Sequence, residues 1–140
     1  MRHRPNIEKF QKNLAGLVLG HGTRGSLLRK IREEGLTNEY NYACVGEGWE
    51  MEDDPVNVTF RADDVLDRTY PDPEGQWGEH FDGYSMEKLV EKLGGLDAAL
   101  DELERCFAGE GWIEDFDDRL NPRNYNLVVV GPVPPSAIIW

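Results

Sequence analysis

Cysteine is scarce in this 140-residue chain: Cys44 and Cys106 stand far apart, outside any Cys-x-x-Cys pair. That spacing provides neither a small disulfide scaffold nor a zinc signature, and it fits a reducing compartment. Histidine is scarce too, three in all, and His80 has no second His or Cys near it to share a metal. No apolar run approaches the roughly 18 residues of a membrane-spanning helix. The start, Met1-Arg-His-Arg-Pro, leads into a polar amphipathic stretch and not an apolar signal core, so the expectation is a soluble, cytoplasmic protein without a membrane partner. Phosphate-cradling glycine loops, Gly-x-Ser-x-Gly elbows and zinc motifs are missing as well. Basic charge is in deficit, with 15 Lys and Arg against 27 Asp and Glu and a net charge of −12. A nucleic-acid-binding surface spread over the whole molecule is thereby excluded.

What is present suits one folded domain spanning 1–140. The apolar fraction of 39% and the aromatic fraction of 10% exceed what a disordered tail carries. Asn6 to Leu14 predicts a helix capped by Asn6, with Ile7, Phe10 and Leu14 on one face. Leu17-Val18-Leu19 predicts a buried strand stopped by Gly20-His21-Gly22. Ser26 to Glu34 predicts a second helix, capped by Ser26, with Leu27, Leu28 and Ile31 turned inward and Gly35 ending it. Tyr40 to Val45 and Val56 to Ala62 alternate as strands do. Asp67 to Gly83, rich in Pro, Gly and acids, predicts a long loop. Ser85 to Phe107 predicts a helix broken at Gly94-Gly95, with Asp97 capping its second half. An acidic loop, Gly109 to Tyr125, precedes the β-branched strand Leu127-Val128-Val129-Val130. Helices and strands do not alternate regularly, so the expected class is α+β and not a doubly wound parallel sheet.

The charge is unevenly placed. Residues 1–40 carry eight basic and four acidic side chains, +4, and residues 41–140 carry seven and 23, −16. At the strand-to-helix junction, His21-Gly22-Thr23 offers ring nitrogens and an approachable backbone. The amides of Thr23, Gly25 and Ser26 offer donors for an anion such as a phosphate. The alternative at this point is a turn whose His packs or caps.

Leu17-Val18-Leu19-Gly20-His21-Gly22-Thr23, followed by Ser26, Leu28, Ile31 and Glu34-Gly35-Leu36, resembles the opening motif of the ADP-ribosyltransferase superfamily. Tyr40-Asn41-Tyr42-Ala43-Cys44-Val45 is similar to the strand bearing that family's Tyr. Val128-Val129-Val130-Gly131-Pro132-Val133-Pro134-Pro135-Ser136-Ala137-Ile138 resembles its closing strand and tail. The three pieces occur in the family's order; the region from Thr69 to Gly111 matches none of it. The resemblance is to the branch with a His-Tyr-Glu signature, the diphtheria-toxin and poly(ADP-ribose) polymerase-like branch. It implies a split antiparallel β-sheet with a few surrounding helices, gripping NAD in its cleft. It assigns His21 to a ribose hydroxyl, the Gly22 backbone to the nicotinamide carboxamide, and Tyr42 to the nicotinamide face, with Tyr40 as neighbour. Thr23, Arg24 and Arg29 would lie towards the phosphates.

The signature Glu is replaced. Its place, just before the last motif strand, holds Asn126, with Asn124 two residues earlier. A carboxylate there stabilises charge developing on the ribose as nicotinamide leaves, and its loss costs about 10²-fold or more. Asp115, Asp117 and Asp118 lie in the preceding loop that contacts the acceptor in the family, and Asp117 or Asp118 is the candidate substitute; Glu47 and Glu50 follow the Tyr strand. These acids otherwise solvate a loop. Trp49, Trp77 and Trp112 are candidate partner anchors or loop pins. The implied activity moves ADP-ribose from NAD, consumed as substrate, to a macromolecular acceptor, a protein, with release of nicotinamide. The alternative is a catalytically degenerate member acting as an acidic module that binds or inhibits a basic protein. A third reading, an RNA 2′-phosphotransferase-like activity, has only Arg24, Arg29 and Arg61 as nearby cations.

Overall fold

Val18–Arg24 forms the first strand, β1, in the computed structural model, which describes residues 3–47, 53–72, 85–107 and 121–140. The strand does not stop at Gly20-His21-Gly22. Each of its seven residues pairs with one of β3 (Pro55–Arg61), from Val18 opposite Arg61 to Arg24 opposite Pro55. That continuous ladder satisfies the β3-facing side of the backbone and offsets the entropy that glycine costs in a strand. The remaining strands are β2 (Tyr40–Val45), β4 (Thr69–Pro71), β5 (Leu127–Val130) and β6 (Ile138–Ile139). They build one six-stranded sheet in the order β4-β5-β2-β1-β3-β6, and every pairing is antiparallel.

Four helices accompany the sheet among the described residues: α1 (Pro5–Asn13), α2 (Leu28–Glu34), α3 (Met86–Leu93) and α4 (Leu96–Phe107). The architecture is a single small α+β domain, as the irregular helix and strand order predicts. The helix break at Gly94-Gly95 is also as expected. Gly94 takes the left-handed conformation (φ +84°) that closes α3, and both glycine amides donate to the Val90 carbonyl. A non-glycine residue there would be strained.

Long-range contacts replace three expected caps. Asn6 lies inside α1, and the Glu104 carboxylate of α4 receives the Asn6 and Ile7 amides at 3.0 and 3.1 Å and the Asn6 side chain at 2.6 Å. Asp97 likewise lies within α4, where it takes an ion pair from Arg4. Ser26 sits in a 3-10 turn, Gly25–Leu27, whose amides belong to Asp54: Gly25 N–H donates to its carbonyl at 3.0 Å and Ser26 N–H to its carboxylate at 3.1 Å. Leu27 consequently turns outward, 45% exposed. Ser85, not singled out as a cap from the sequence, caps α3 by accepting from the Lys88 amide.

The core is one cluster. Phe10 of α1 and Leu14 just past its end, Leu19 of β1, Phe60 of β3, Met86 of α3, Leu103 of α4 and Leu127–Val129 of β5 are all fully enclosed. Tyr125 meets Phe10 and Phe107 edge-on, with ring centroids 5.5 and 6.0 Å apart, the favoured geometry for aromatic pairs. The expected loop from Asp67 begins instead with a 3-10 turn (Leu66–Arg68) and strand β4. Pro71 ends an edge strand, a place where its missing N–H breaks no ladder. Residues 73–84 and 108–120 of the expected loops lie outside the described residues. The tail after Pro134 carries the unexpected short strand β6, held to β3 through Phe60 and Ile138.

Candidate functional site

The ladder between β1 and β2 is short. Leu19 pairs with Val45 and Gly20 with Cys44, and the Gly46 amide donates to the Val18 carbonyl. Past Gly20 no further backbone pair joins the two strands, while β3 continues alongside β1 to its end. At the point of separation the His21 ring takes over: Nδ1 lies 2.6 Å from the Tyr42 carbonyl oxygen. A carbonyl only accepts, so Nδ1 is assigned the proton, and Nε2 of the neutral ring is left as an acceptor. Such a nitrogen suits a hydroxyl donor.

His21 is half-buried and lines a cleft of about 130 Å³ between β1, β2, α2 and the turn that follows. Buried Thr23 shares that wall, and Ile31, Leu36, Lys30 and Asn41 complete it. The turn is fixed by Gly35 at φ +78°. A Cβ there would stand 2.0 Å from the Val133 carbonyl oxygen, so glycine is required. Leu36 and Val133 exchange backbone hydrogen bonds at 2.9 and 2.8 Å. The Gly131-Pro132-Val133-Pro134 segment therefore seals the end of α2.

Tyr42 lies on the other side of β2. Side chains alternate along a strand, and Asn41 and Ala43 are buried on the cleft side, so Tyr40, Tyr42 and Cys44 face the opposite one. The Tyr42 hydroxyl is buried without a hydrogen-bond partner among the described residues. Burial pushes its pKa up, aided by the charges of Asp72 and Glu87, against opposing pulls from Ser85 and the Glu87 backbone. The phenol therefore stays neutral and weakly acidic. On the same side, Cys44 Sγ donates to Asn126 Oδ1 at 3.5 Å, a weak contact, and desolvation raises the thiol's pKa. That makes Cys44 a poor nucleophile. Asp72, 4% exposed, ties this end together: its amide donates to the Asn126 carbonyl at 2.7 Å and its carboxylate receives the Met86 amide at 3.0 Å.

The sequence-derived residues thus divide. His21 and Thr23 line the cleft; Gly22 sits half-buried in β1 opposite Asn57; Arg24 is exposed at the strand end, opposite Pro55. Tyr42 and Asn126 lie across the sheet, joined to the first group through the His21–Tyr42 carbonyl bond. Asp115, Asp117, Asp118, Glu50, His80, Trp49, Trp77 and Trp112 lie outside the described residues. The expected anion donors are altered: the Gly25 and Ser26 amides are already bonded to Asp54. Of the cations weighed for a phosphate, Arg29 pairs with Glu33, and Arg61 pairs with Asp64 and donates to the Ser136 carbonyl. Sequence reading passed over Asn41, although an amide alternating with Tyr40 and Tyr42 in a strand was the available signal. No described helix is long and apolar enough to cross a membrane. Comparison with protein-family models, curated proteins and solved structures finds no match for the chain.

Proposed function

We propose that the chain is an ADP-ribosyltransferase-like protein that binds NAD where β1 and β2 part and transfers ADP-ribose to a protein acceptor. One observation carries the reading: the His21 ring stands in the gap between the strands, with Nδ1 spent on the Tyr42 carbonyl and Nε2 left to accept from a sugar hydroxyl. Two further features support it. The three stretches that resemble the family are neighbours in space, since Tyr42 pairs with Val128 and Leu36 with Val133. An antiparallel sheet whose central ladder stops after two pairs is also what a split sheet requires. On this reading the dinucleotide crosses the sheet at the gap, its adenosine ribose on His21 and its nicotinamide on the Gly22 and Tyr42 side. The −16 of residues 41–140 favours an acceptor with a basic surface.

Asn126 sharpens the alternative of a degenerate binding module, because it has no charge with which to stabilise a departing nicotinamide. Nicotinamide release from NAD, with an acceptor mass gain of one ADP-ribose, tests the enzyme reading. Asn126→Glu discriminates: it raises release at least about tenfold if the site is a working but weakened transferase. An unchanged zero in both chains, with a salt-sensitive complex formed with a basic protein, leaves the binding module.

A further inference from the structure

The cleft beneath α2 has one charged residue in its wall, and that residue is a cation. Lys30 lines it, and no described Asp or Glu does, although the chain as a whole carries −12. The Lys30 ammonium lies 4.0 Å from the Glu34 carboxylate, and the two side chains are 66% and 53% exposed. An i,i+4 pair so long and so well hydrated holds Lys30 weakly. The neighbouring cations of α2 are engaged elsewhere, Arg29 with Glu33 and Arg32 over the Trp140 ring. On the β1 side of the cleft, the His21 and Thr23 side chains share one face of the strand, roughly 7 Å apart along it. His21 Nδ1 is spent on the Tyr42 carbonyl, and no described group bonds to Nε2. Thr23 is 5% exposed, and its hydroxyl has no described partner either. Neither atom is among the fully enclosed unpaired ones. Both therefore remain accessible, and the cleft they line is where a ligand would meet them.

We propose that this cleft takes a phosphorylated ribose and that Lys30 is a specificity-determining residue, so that the protein selects NADP over NAD. The furanose ring sits over β1 with a hydroxyl on His21 Nε2, and the phosphate on that ring meets the Lys30 ammonium at the rim. This rests on the dinucleotide reading above and names which dinucleotide the site prefers. The dimensions agree. A closed apolar cavity of roughly 150 Å³ takes one benzene ring, so a cleft of about 130 Å³ takes one sugar ring. The adenine and the pyrophosphate then stay outside, on the cleft's open side. The charge agrees as well. A phosphate monoester carries nearly two negative charges at neutral pH, and a wall without a carboxylate does not repel it. A hydrated, weakly paired ammonium is free to turn from Glu34 to such a dianion, the stronger partner.

The test is calorimetric titration of the full chain with NAD and with NADP, which differ by that one phosphate. NADP is expected to bind at least about fivefold tighter at low salt, with the advantage shrinking as salt is added. Lys30→Gln is expected to bring NADP down to the affinity of NAD, with an unchanged melting temperature, because the side chain is mostly in solvent. Lys88→Gln makes the same change of charge at an exposed lysine of α3, away from the cleft, and is expected to keep the preference. NADP binding no tighter than NAD in the native chain overturns the role of Lys30 and leaves the dinucleotide site standing. Failure of both to bind overturns the two together. A preference that survives Lys30→Gln places the phosphate elsewhere, and one lost equally in Lys88→Gln is an effect of net charge; either contradicts the proposal.

Discussion

The two halves of β1 have the same backbone conformation and opposite surroundings. From Val18 to Gly20 the strand is bonded on both sides, to β2 and to β3, and Leu19 is fully enclosed. From His21 to Arg24 it is bonded to β3 alone, and an imidazole ring takes the place of the missing ladder. The first half is spent on stability. The second half keeps only the ladder to β3, and so leaves its β2-facing side without one. A sheet can therefore open a gap at its centre without an edge strand, provided one neighbour carries the whole ladder.

Substitutions sharpen that contrast. Leu19→Ala in the closed half is expected to destabilise by about 2–5 kcal/mol, the range for emptying a buried leucine site, as read by denaturant unfolding. Any nucleotide affinity that survives below the midpoint should be unchanged. His21→Ala in the open half should do the reverse: NAD-dependent turnover falls about 10²-fold or more, while stability changes by about 1 kcal/mol. A His21→Ala chain that unfolds as readily as Leu19→Ala would remove the distinction. Across the sheet, Tyr42→Phe deletes a buried hydroxyl that has no described partner and keeps the ring face. Stability should rise by up to about 1 kcal/mol with NAD binding retained.

The smallest effect is in pH. Burial raises the phenols of Tyr40, Tyr42 and Tyr70 above their ordinary value of 10.0. The unfolded chain therefore loses these protons first. Their contribution to stability is whole below about pH 10 and is lost as pH rises through the folded values. Unfolding free energy measured from pH 8 to 11 should stay level and then fall, less steeply in Tyr42→Phe. A fall beginning well below pH 10 would mean that these phenols are not the cause.

Elements whose cause is local were legible in the sequence. The apolar spacing of Met86, Leu89, Val90 and Leu93 and the Gly94-Gly95 break predicted α3 and α4 nearly to the residue. The alternation in Tyr40–Val45 and the β-branched run at Leu127–Val130 predicted β2 and β5. Caps were misread where the partner is remote, since nothing near Asn6 announces Glu104. The extent of β1 was misread for the same reason. Gly20-His21-Gly22 looks like a terminator until the seven-residue ladder to β3 is known. At the site, His21 could be singled out from Gly-His-Gly-Thr, but its bond to a carbonyl 21 residues away could not. Asn41 was passed over because its value depends on Asn38 and Gly131 holding one end of its amide.

Melting temperature in the presence of NAD tests the central claim most directly, compared between the native chain and His21→Ala. The account predicts an upward shift in the native chain that grows with NAD concentration, about 2.7 kcal/mol of added stability at one hundred times the dissociation constant. His21→Ala, folded and melting near the native temperature without ligand, should show no shift over the same range. A native chain unmoved by saturating NAD, or a shift equally large in His21→Ala, would contradict it.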